Sequence, residues 1–378
     1  MYYKEYRYRE AVVLTNSSTL RIPLPRCGML SAIKLDFRAQ NAATLAAQLN
    51  QRICEHITFA GIIDKQGKLI TGLRGDSWRA ENFYCEGDLL PETATLLASR
   101  AQLTTLLIPL GRFKKDPFYA LDLSKYCELE LVIVNDIATA WWAQGDVNVD
   151  VQLVEICDAT QVPTSFIKRL HWLREKPSGA NQQLLRELPT SWPIQSITAQ
   201  MWPDLDAYNK PVSDPATDSN MLLMWLSEKQ NFVWAMRPKD IMRENAIEYG
   251  HIRAHGKYHH TATTWFDTTV AYVESFVDAL LDTAGLGIMV INEDSNDRFQ
   301  RLDAAVVTAP TDLKHLAIGV GYWHTMRLWD SLKIFGSDPL QLICGCNPYS
   351  PAFVDWHPHD EHHYFGLMVA QIVAQGEA

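Results

Sequence analysis

Short segments in which apolar residues alternate with other residues recur along the whole chain, and they constrain its fold more than any other feature. Residues Val147–Ile156 alternate cleanly, with Val147, Val149, Val151 and Leu153 on one side. A period of two is typical of a β-strand with one buried face. Because such segments continue from one end of the chain to the other, the sequence predicts an all-β protein with minor helices.

The predicted strands form two groups. In the first half, Ile57–Ile63 and Leu69–Leu73 flank a Gly-containing turn and predict a hairpin. The other strands predicted in this half are Leu30–Phe37, Leu103–Leu110, Leu129–Val134 and Val147–Ile156. Those predicted in the second half are Ile194–Trp202, Met221–Leu226, Asn231–Met236, Thr261–Phe276, Leu286–Ile291, Leu302–Val307, Leu316–Trp323, Leu340–Cys346 and Tyr364–Val373. About eight strands in each half suit a jelly-roll sandwich better than an immunoglobulin sandwich.

Helices are predicted only as insertions. Asn41–Ile53 begins with a good N-cap residue and has apolar residues at a helical spacing, and Leu90–Leu103 has a proline in its first turn. A proline-containing stretch with a helical-looking segment at Ile167–Glu175 predicts a connector between the halves. We therefore expect a first jelly roll with an N-terminal arm at residues 1–162, a connector at 163–189 and a second jelly roll with longer loops at 190–378.

The two halves share weak sequence similarities in the same order, which favours an internal duplication over two unrelated β domains. Leu24-Pro25 and Leu188-Pro189 each stand shortly before a predicted strand, and Asp122–Lys125 is echoed by Asp330–Lys333. The second pair of motifs lies farther apart in the chain than the first. The second copy therefore carries extra residues, which we place in the loops at Asp204–Asn220 and Lys239–His260.

Composition excludes several classes of protein. The 378 residues are 47% hydrophobic and 21% charged, with a net charge of −10, which argues against a disordered chain and against a basic nucleic-acid-binding protein. No apolar stretch reaches the roughly 20 residues that a membrane-spanning helix needs. The N-terminus lacks the apolar region of a secretory signal, and seven irregularly spaced cysteines are typical of free thiols in a reducing compartment.

Motifs for catalysis are sparse. The sequence has no G-x-S-x-G, P-loop or H-E-x-x-H motif, and Gly319–Gly321 lacks the third glycine of a dinucleotide-binding loop. The segment Trp356–Gly366 could hold a transition metal through its imidazoles and carboxylates, which are His357, His359, Asp360, Glu361, His362 and His363. A cupin would place a glutamate where His363 or Tyr364 stands, so we favour a solvated or subunit-contacting loop.

Three further motifs have simpler explanations. A looser histidine cluster at His255, His259 and His260 is interpreted in the same way as the first. Arg74-Gly75-Asp76 matches an adhesion tripeptide but follows a strand, where turn residues are expected. Asn292–Asp297 is acidic, yet it lacks the glycine and the distal glutamate of a calcium-binding loop. We predict no catalytic residue, no metal site and no cofactor.

The N-terminus is unusually rich in aromatic and basic residues. Tyr2, Tyr3, Tyr6 and Tyr8 alternate with the basic residues Lys4, Arg7 and Arg9 in an otherwise acidic chain. Tyrosine favours the membrane–water interface and basic residues favour anionic headgroups. This segment is either an arm that contacts an internal membrane or nucleic acid, or an edge strand with charged residues facing solvent.

The segments Ile22–Phe37 and Ile108–Asp136 have partial echoes in the second half of the chain. With these segments and two predicted jelly rolls, the chain resembles the double jelly-roll major capsid proteins of icosahedral viruses, the lineage that links tailless bacteriophages with adenovirus-like viruses. The resemblance implies two tandem jelly-roll β-sandwiches and no enzymatic activity. It also implies a homotrimer whose six barrels form a pseudo-hexagonal tile of the virion shell.

The resemblance further implies neighbouring capsomers and minor capsid proteins as partners, no small-molecule substrate, and synthesis in the host cytoplasm. Candidate contact segments are the N-terminal arm, Trp202–Asn220, Lys239–His260 and the His357–His363 loop. Two other functions stay open. One is a cupin-like metal-dependent enzyme that uses His357, His359 and Glu361. The other is a carbohydrate-binding sandwich whose exposed tryptophans, at Trp141, Trp142, Trp202 and Trp356, stack on sugars.

Overall fold

The computed structural model is built almost entirely of β-strands. It describes residues 1–40, 53–87, 90–93, 101–137, 142, 147–158, 162–175, 184–187, 189, 192–202, 222–226, 231–236, 244–245, 247–249, 252–259, 265–272, 289–291, 298–302, 313–317, 325–330, 340–344 and 364–377.

The strands of the first half are β1 (Tyr2–Val13), β2 (Thr19–Pro23), β3 (Met29–Gln40), β4 (Ile57–Asp64), β5 (Leu69–Leu73), β6 (Glu92–Thr93), β7 (Ala101–Pro109), β8 (Leu121–Asp122), β9 (Leu129–Asn135) and β10 (Asn148–Cys157). One α-helix, α1 (Gly75–Glu86), follows β5, and short 3₁₀ helices span Ile53–His56 and Leu123–Lys125.

The later strands are β11 (Ser165–Glu175), β12 (Leu184–Glu187), β13 (Ile194–Trp202), β14 (Leu222–Leu226), β15 (Asn231–Met236), β16 (Ile252–His259), β17 (Trp265–Tyr272), β18 (Met289–Ile291), β19 (Arg298–Leu302), β20 (Leu313–Ala317), β21 (Thr325–Asp330), β22 (Leu340–Cys344) and β23 (Tyr364–Ala374).

The first half has the strand order of a jelly roll. One sheet runs β1-β10-β3-β7-β6, with β8 beside β3, and the facing strands run β2-β9-β4-β5. The first long strand therefore lies beside the last, and the chain crosses repeatedly between the two sheets, as in a doubly wound Greek key. The predicted hairpin is confirmed as β4–β5, where Gly67 takes a positive φ of 86° in the turn.

The second half repeats this order. Strands β11-β23-β13-β21 correspond to β1-β10-β3-β7, and the sheet β12-β22-β14-β15 corresponds to β2-β9-β4-β5. Leu24-Pro25 precedes β3, and Leu188-Pro189 precedes the equivalent strand β13. The motif at Asp122 begins at the end of β8, shortly after β7, and the motif at Asp330 begins at the end of β21, the equivalent of β7. The duplication predicted from the sequence is therefore present in the topology.

The extra residues of the second copy lie mainly in one place. Residues 237–324 connect β15 to β21, whereas the equivalent interval between β5 and β7 is only residues 74–100. This insertion contains the β16–β17 hairpin and the sheet β18-β19-β20. The prediction was right for Lys239–His260. It was wrong for Asp204–Asn220, because the interval between β13 and β14 is hardly longer than the one between β3 and β4.

A single eight-stranded sheet runs through both halves, in the order β2-β9-β4-β5-β11-β23-β13-β21. The halves join where β5 and β11 run parallel, with Leu170 opposite Gly72. We call this junction the seam. Parallel pairing at this point gives the two jelly rolls the same direction within one hydrogen-bonded sheet.

The core of the first jelly roll explains the alternation in its strands. Leu30, Ile33, Leu35 and Phe37 of β3 are fully buried, as are Val149, Val151 and Leu153 of β10. These side chains face those of the second sheet, and burial of each contributes roughly 1.5–3 kcal/mol. The strand predictions in this half are confirmed, with bounds within a few residues of those expected.

Two helix predictions need correction. Within Leu90–Leu103, residues Glu92–Thr93 form β6 and Ala101–Leu103 belong to β7, while 94–100 lie outside the described residues. The helical-looking Ile167–Glu175 belongs to β11, because pairing with β23 along its length overrides the local pattern. Residues 41–52 of the helix predicted at Asn41–Ile53 lie outside the described residues.

The predicted connector, residues 163–189, contains β11 and β12, which pair with β23 and β22. The division of the chain at residues 162 and 190 stays a prediction.

Candidate functional site

A rigid loop at residues 111–119, which we call the Arg112 loop, presents aromatic side chains at the surface. The Arg112 guanidinium donates to both carboxylate oxygens of Asp116, over 2.7 and 3.0 Å. The same carboxylate accepts the backbone N–H groups of Arg112 and Phe118. Gly111 is required here, because a Cβ atom would lie 2.4 Å from the Cβ of Asp116.

The electrostatics of this loop favour the ionised pair. Burial alone would raise the pKa of the Asp116 carboxyl, but hydrogen bonds from Arg112 and from the backbone outweigh it and hold the pKa below its usual value. The Arg112 guanidinium also lies 5.3 Å from the ring centroid of Phe118 and 5.7 Å from that of Phe113. The loop therefore holds Phe118, which is 62% exposed, in a fixed position.

The Arg112 loop contacts the start of β1. The Tyr3 hydroxyl donates to the Lys115 carbonyl over 2.7 Å, and Lys114 and Lys115 both pair with the Glu5 carboxylate at 2.8 and 2.7 Å. These contacts form one surface, which we call the arm face: Tyr3, Glu5, Phe113, Lys114, Lys115 and Phe118. The arm face combines aromatic rings with two lysines in a chain of net charge −10.

The N-terminal segment is an edge strand, the second of the two structures that the sequence left open. Strand β1 pairs with β10 along its length. Tyr6 and Tyr8 pack against the core from its edge, and Tyr6 donates to Glu155 over 2.8 Å. Burial and this hydrogen bond raise the pKa of Tyr6. Lys4 and Arg9 lie over the rings of Tyr6 and Tyr8, with 4.7 and 4.5 Å to the centroids.

The seam contains a buried ion pair. Glu81 of α1 and Arg169 of β11 are each 2% exposed in their side chains and lie 3.3 Å apart. Arg169 also donates to the carbonyls of Pro109 and Gly111, and Glu81 accepts the Thr198 hydroxyl of β13 over 2.6 Å. One cluster of charges thus connects α1, β11, β13 and the base of the Arg112 loop.

Helix α1 holds this cluster against the first jelly roll. Its Trp78 is fully buried, and the indole N–H donates to the Ala60 carbonyl of β4 over 2.7 Å. Asn82 donates to the Leu107 carbonyl and accepts the Leu107 N–H, so its side-chain amide satisfies both backbone groups of this residue of β7. The helix ends at Gly87, which has a φ of 76° and donates to the Phe83 carbonyl.

The C-terminus is also fixed to the first jelly roll. The Asp122 N–H donates to the side chain of Gln375, and the Gln375 N–H donates to the Thr164 carbonyl. The Gly376 N–H donates to the Tyr126 hydroxyl over 3.1 Å. The chain's start, its end and the Arg112 loop therefore lie at the same end of the first jelly roll.

Most of the candidate site residues predicted from the sequence lie outside the described parts of the chain. The loop His357–His363, Trp141, Trp356, His260, Gly319–Gly321 and Asn292–Asp297 lie outside the described residues, as does most of Trp202–Asn220. His255 and His259 are in β16. Within the described parts of the chain, no three metal-ligating side chains cluster.

Two surface predictions are wrong. Trp142 is 1% exposed and packs edge-on against His56, with 5.0 Å between ring centroids, so it cannot stack on a sugar. Arg74-Gly75-Asp76 is the start of α1 rather than an open turn, and Asp76 is 3% exposed. An adhesion receptor could not reach that carboxylate.

Sequence reasoning missed the Arg112 loop and the seam. Arg112 and Asp116 are four residues apart and flank Phe113, which is a local signal for a structured loop. Glu81 and Arg169 carry no such signal, because their contact joins distant segments.

Among the described helices, none is long and apolar enough to cross a bilayer.

The whole fold is similar to solved viral structures, whereas no family model and no curated protein matches the sequence. The chain matches the crystal structure of the STIV MCP with a TM-score of 0.56 and 9% identity, covering 99% of this chain and 97% of that one. It matches an atomic structure of Sulfolobus Turreted Icosahedral Virus with a TM-score of 0.57 and 10% identity, covering 98% and 91% of the two chains.

A third structure, the PBCV-1 virus capsid, matches with a TM-score of 0.51 and 8% identity, covering 98% of this chain and 93% of that one. At these identities the similarity is one of fold. It confirms the fold class predicted from the sequence, which is an all-β chain of two tandem jelly-roll β-sandwiches with minor helices. The resemblance to double jelly-roll capsid proteins is thereby confirmed in the fold.

Proposed function

We propose that the protein is the major capsid protein of an icosahedral virus, a structural protein without enzymatic activity. The observation that carries this proposal is the repeated jelly-roll order, with the two copies joined by one eight-stranded sheet. Three copies of such a chain supply six similar barrels, so a threefold trimer approximates a hexagonal tile. Tiles of this shape pack side by side into a closed shell.

The seam supports this function because a tile must be rigid. The parallel β5–β11 pairing, the buried Glu81–Arg169 pair and the attachment of Gln375 each link the two jelly rolls. A hinge at this point would let the two barrels of a chain rotate and would spoil the hexagonal outline. We place the protein in the virion, made in the host cytoplasm, with neighbouring capsomers and minor capsid proteins as its partners.

The arm face supports a second contact, with an internal membrane or the genome. It lies at the end of the first jelly roll that holds both chain termini. Its exposed aromatic rings beside lysines favour a lipid surface, because Tyr and Phe enter the interfacial region while lysines attract anionic headgroups. A double-stranded nucleic acid, whose bases are already stacked, would use the lysines and leave Phe118 without a role.

Vesicle binding tests this contact. Replacing Phe118 with Ser and Lys115 with Gln together is expected to weaken binding to anionic phosphatidylserine vesicles at least fivefold, since each basic residue near the surface contributes about 1 kcal/mol. Arg21→Gln, an exposed cation on the other sheet, is the matched control. Unchanged vesicle binding, or equally strong binding to double-stranded DNA, would contradict the lipid contact.

Electron microscopy of the purified protein tests the main proposal. We expect six-lobed particles of uniform size, each built from three chains, because each chain contributes two similar barrels. Elongated two-lobed particles at every protein concentration would contradict a capsid tile. Such particles would instead favour one of the two alternative functions, a cupin-like enzyme that uses His357, His359 and Glu361 or a carbohydrate-binding sandwich.

A further inference from the structure

Strand β1 leaves a long sheet edge available. Of the strands that the structure describes, only β10 pairs with β1, so alternate N–H and C=O groups on its other side point away from the sheet. The register with β10 is regular from Tyr2 to Arg7 and is interrupted by irregularities between Arg7 and Arg9 and between Arg9 and Val12. The regular edge is therefore confined to the first part of the strand.

We infer that this edge pairs antiparallel with β1 of a second copy of the chain, across a twofold axis at Glu5. In an antiparallel pair, the side chains of two opposed residues lie on the same face of the sheet. A twofold axis between two identical strands therefore passes beside one residue, which stands opposite the same residue of the second copy. Within Tyr2–Arg7, only centres at Lys4 or Glu5 keep several residue pairs inside the regular segment. A centre at Lys4 opposes two lysines, each with one carboxylate beside it, that of Glu155 on β10, which already accepts the Tyr6 hydroxyl.

The centre at Glu5 is electrostatically complementary. Each Glu5 already pairs with Lys114 and Lys115 of its own chain, so two opposed carboxylates would sit among four ammonium groups. The flanking pairs would place Lys4 opposite Tyr6 of the second copy and Tyr3 opposite Arg7 of the second copy. Both are cation–aromatic pairs, and Lys4 already lies over the Tyr6 ring within one chain.

The same features limit the contact to a matching partner. Lysine and glutamate side chains on an exposed edge discourage pairing with unrelated strands, and the irregularities after Arg7 end the ladder. A ladder of five residues binds weakly alone. The step from a weak pair to a stable contact rests on the proposed function, because a trimer presents three such edges to its neighbours.

Cysteine cross-linking tests the register. In a background with Cys27→Ser and Cys127→Ser, the two cysteines that are exposed in the described part of the chain, Glu5→Cys would place one new thiol directly opposite its copy. Oxidised glutathione then accepts two electrons, the two thiols join as one disulfide, and two molecules of glutathione are released. Lys4→Cys and Arg7→Cys are the matched controls, because neither position faces itself.

We expect covalent dimers of the Glu5→Cys protein at least tenfold above either control on a non-reducing gel. A mixture of Tyr3→Cys and Arg7→Cys proteins, which keeps Glu5, is expected to give heterodimers that a Lys4→Cys and Arg7→Cys mixture does not. Equal or absent cross-linking at all positions, in proteins that melt like the background, would overturn the pairing. If the protein forms trimers but no cross-links, only the β1–β1 pairing is overturned. If it forms cross-linked dimers but no trimers, only the capsid proposal is overturned.

Discussion

Replacing Arg169 with Met is expected to lower the free energy of unfolding by about 3–5 kcal/mol, because one partner of a buried ion pair is removed. The change removes the guanidinium that pairs with the buried Glu81 carboxylate. It also deprives the carbonyls of Pro109 and Gly111 of their donor. Chemical denaturation at neutral pH measures the loss.

The control is Arg21→Met, which removes an exposed ion pair with Glu130 and is expected to cost no more than about 1 kcal/mol. Adding Glu81→Gln to the Arg169→Met protein should restore part of the stability, since the buried carboxylate that lost the Arg169 guanidinium is then replaced by a neutral amide. If Arg169→Met and Arg21→Met lose the same small amount, the seam does not hold the two jelly rolls together.

Replacing Trp78 with Ala is expected to cost about 3–5 kcal/mol, the usual effect of emptying a large buried aromatic site. Trp78 is the largest fully buried side chain of α1, and its loss would free the helix from β4. Because the same helix carries Glu81, the seam should loosen as well. The measurement is thermal unfolding combined with limited proteolysis, in which a new cleavage within residues 74–87 is expected.

Trp78→Phe separates packing from hydrogen bonding. It keeps most of the ring volume but leaves the Ala60 carbonyl without the indole donor, so we expect a loss of about 1–3 kcal/mol. An alanine variant as stable as the phenylalanine variant would contradict the anchoring role of Trp78.

The strands could be predicted because burial on one face leaves an alternating pattern in the sequence. Helix α1 could not, because it is buried nearly all round: Trp78 faces β4, while Asp76, Glu81 and Asn82 are buried as well. Such a helix has no polar face and therefore no amphipathic period. Arg74-Gly75-Asp76 was mistaken for a turn for the same reason.

Strand β11 shows the opposite problem. Its Lys168, Arg169 and Arg174 interrupt the apolar pattern, and a charged residue in the interior is unexpected unless it is paired. The partner of Arg169 is Glu81, far away in the chain, so only the fold reveals why that position tolerates a charge. The arm face was half predicted: the tyrosines and basic residues of β1 were noted, but the contact with Lys114, Lys115 and Phe118 depends on tertiary structure.

The mass of the native protein in solution tests the central claim most directly. Light scattering after gel filtration, with metal content measured on the same peak, should give three times the chain mass of 42.9 kDa, or larger shells, without stoichiometric transition metal. A monomer or dimer that carries about one transition metal per chain would contradict the capsid proposal, and the His357–His363 loop would then be the site to mutate.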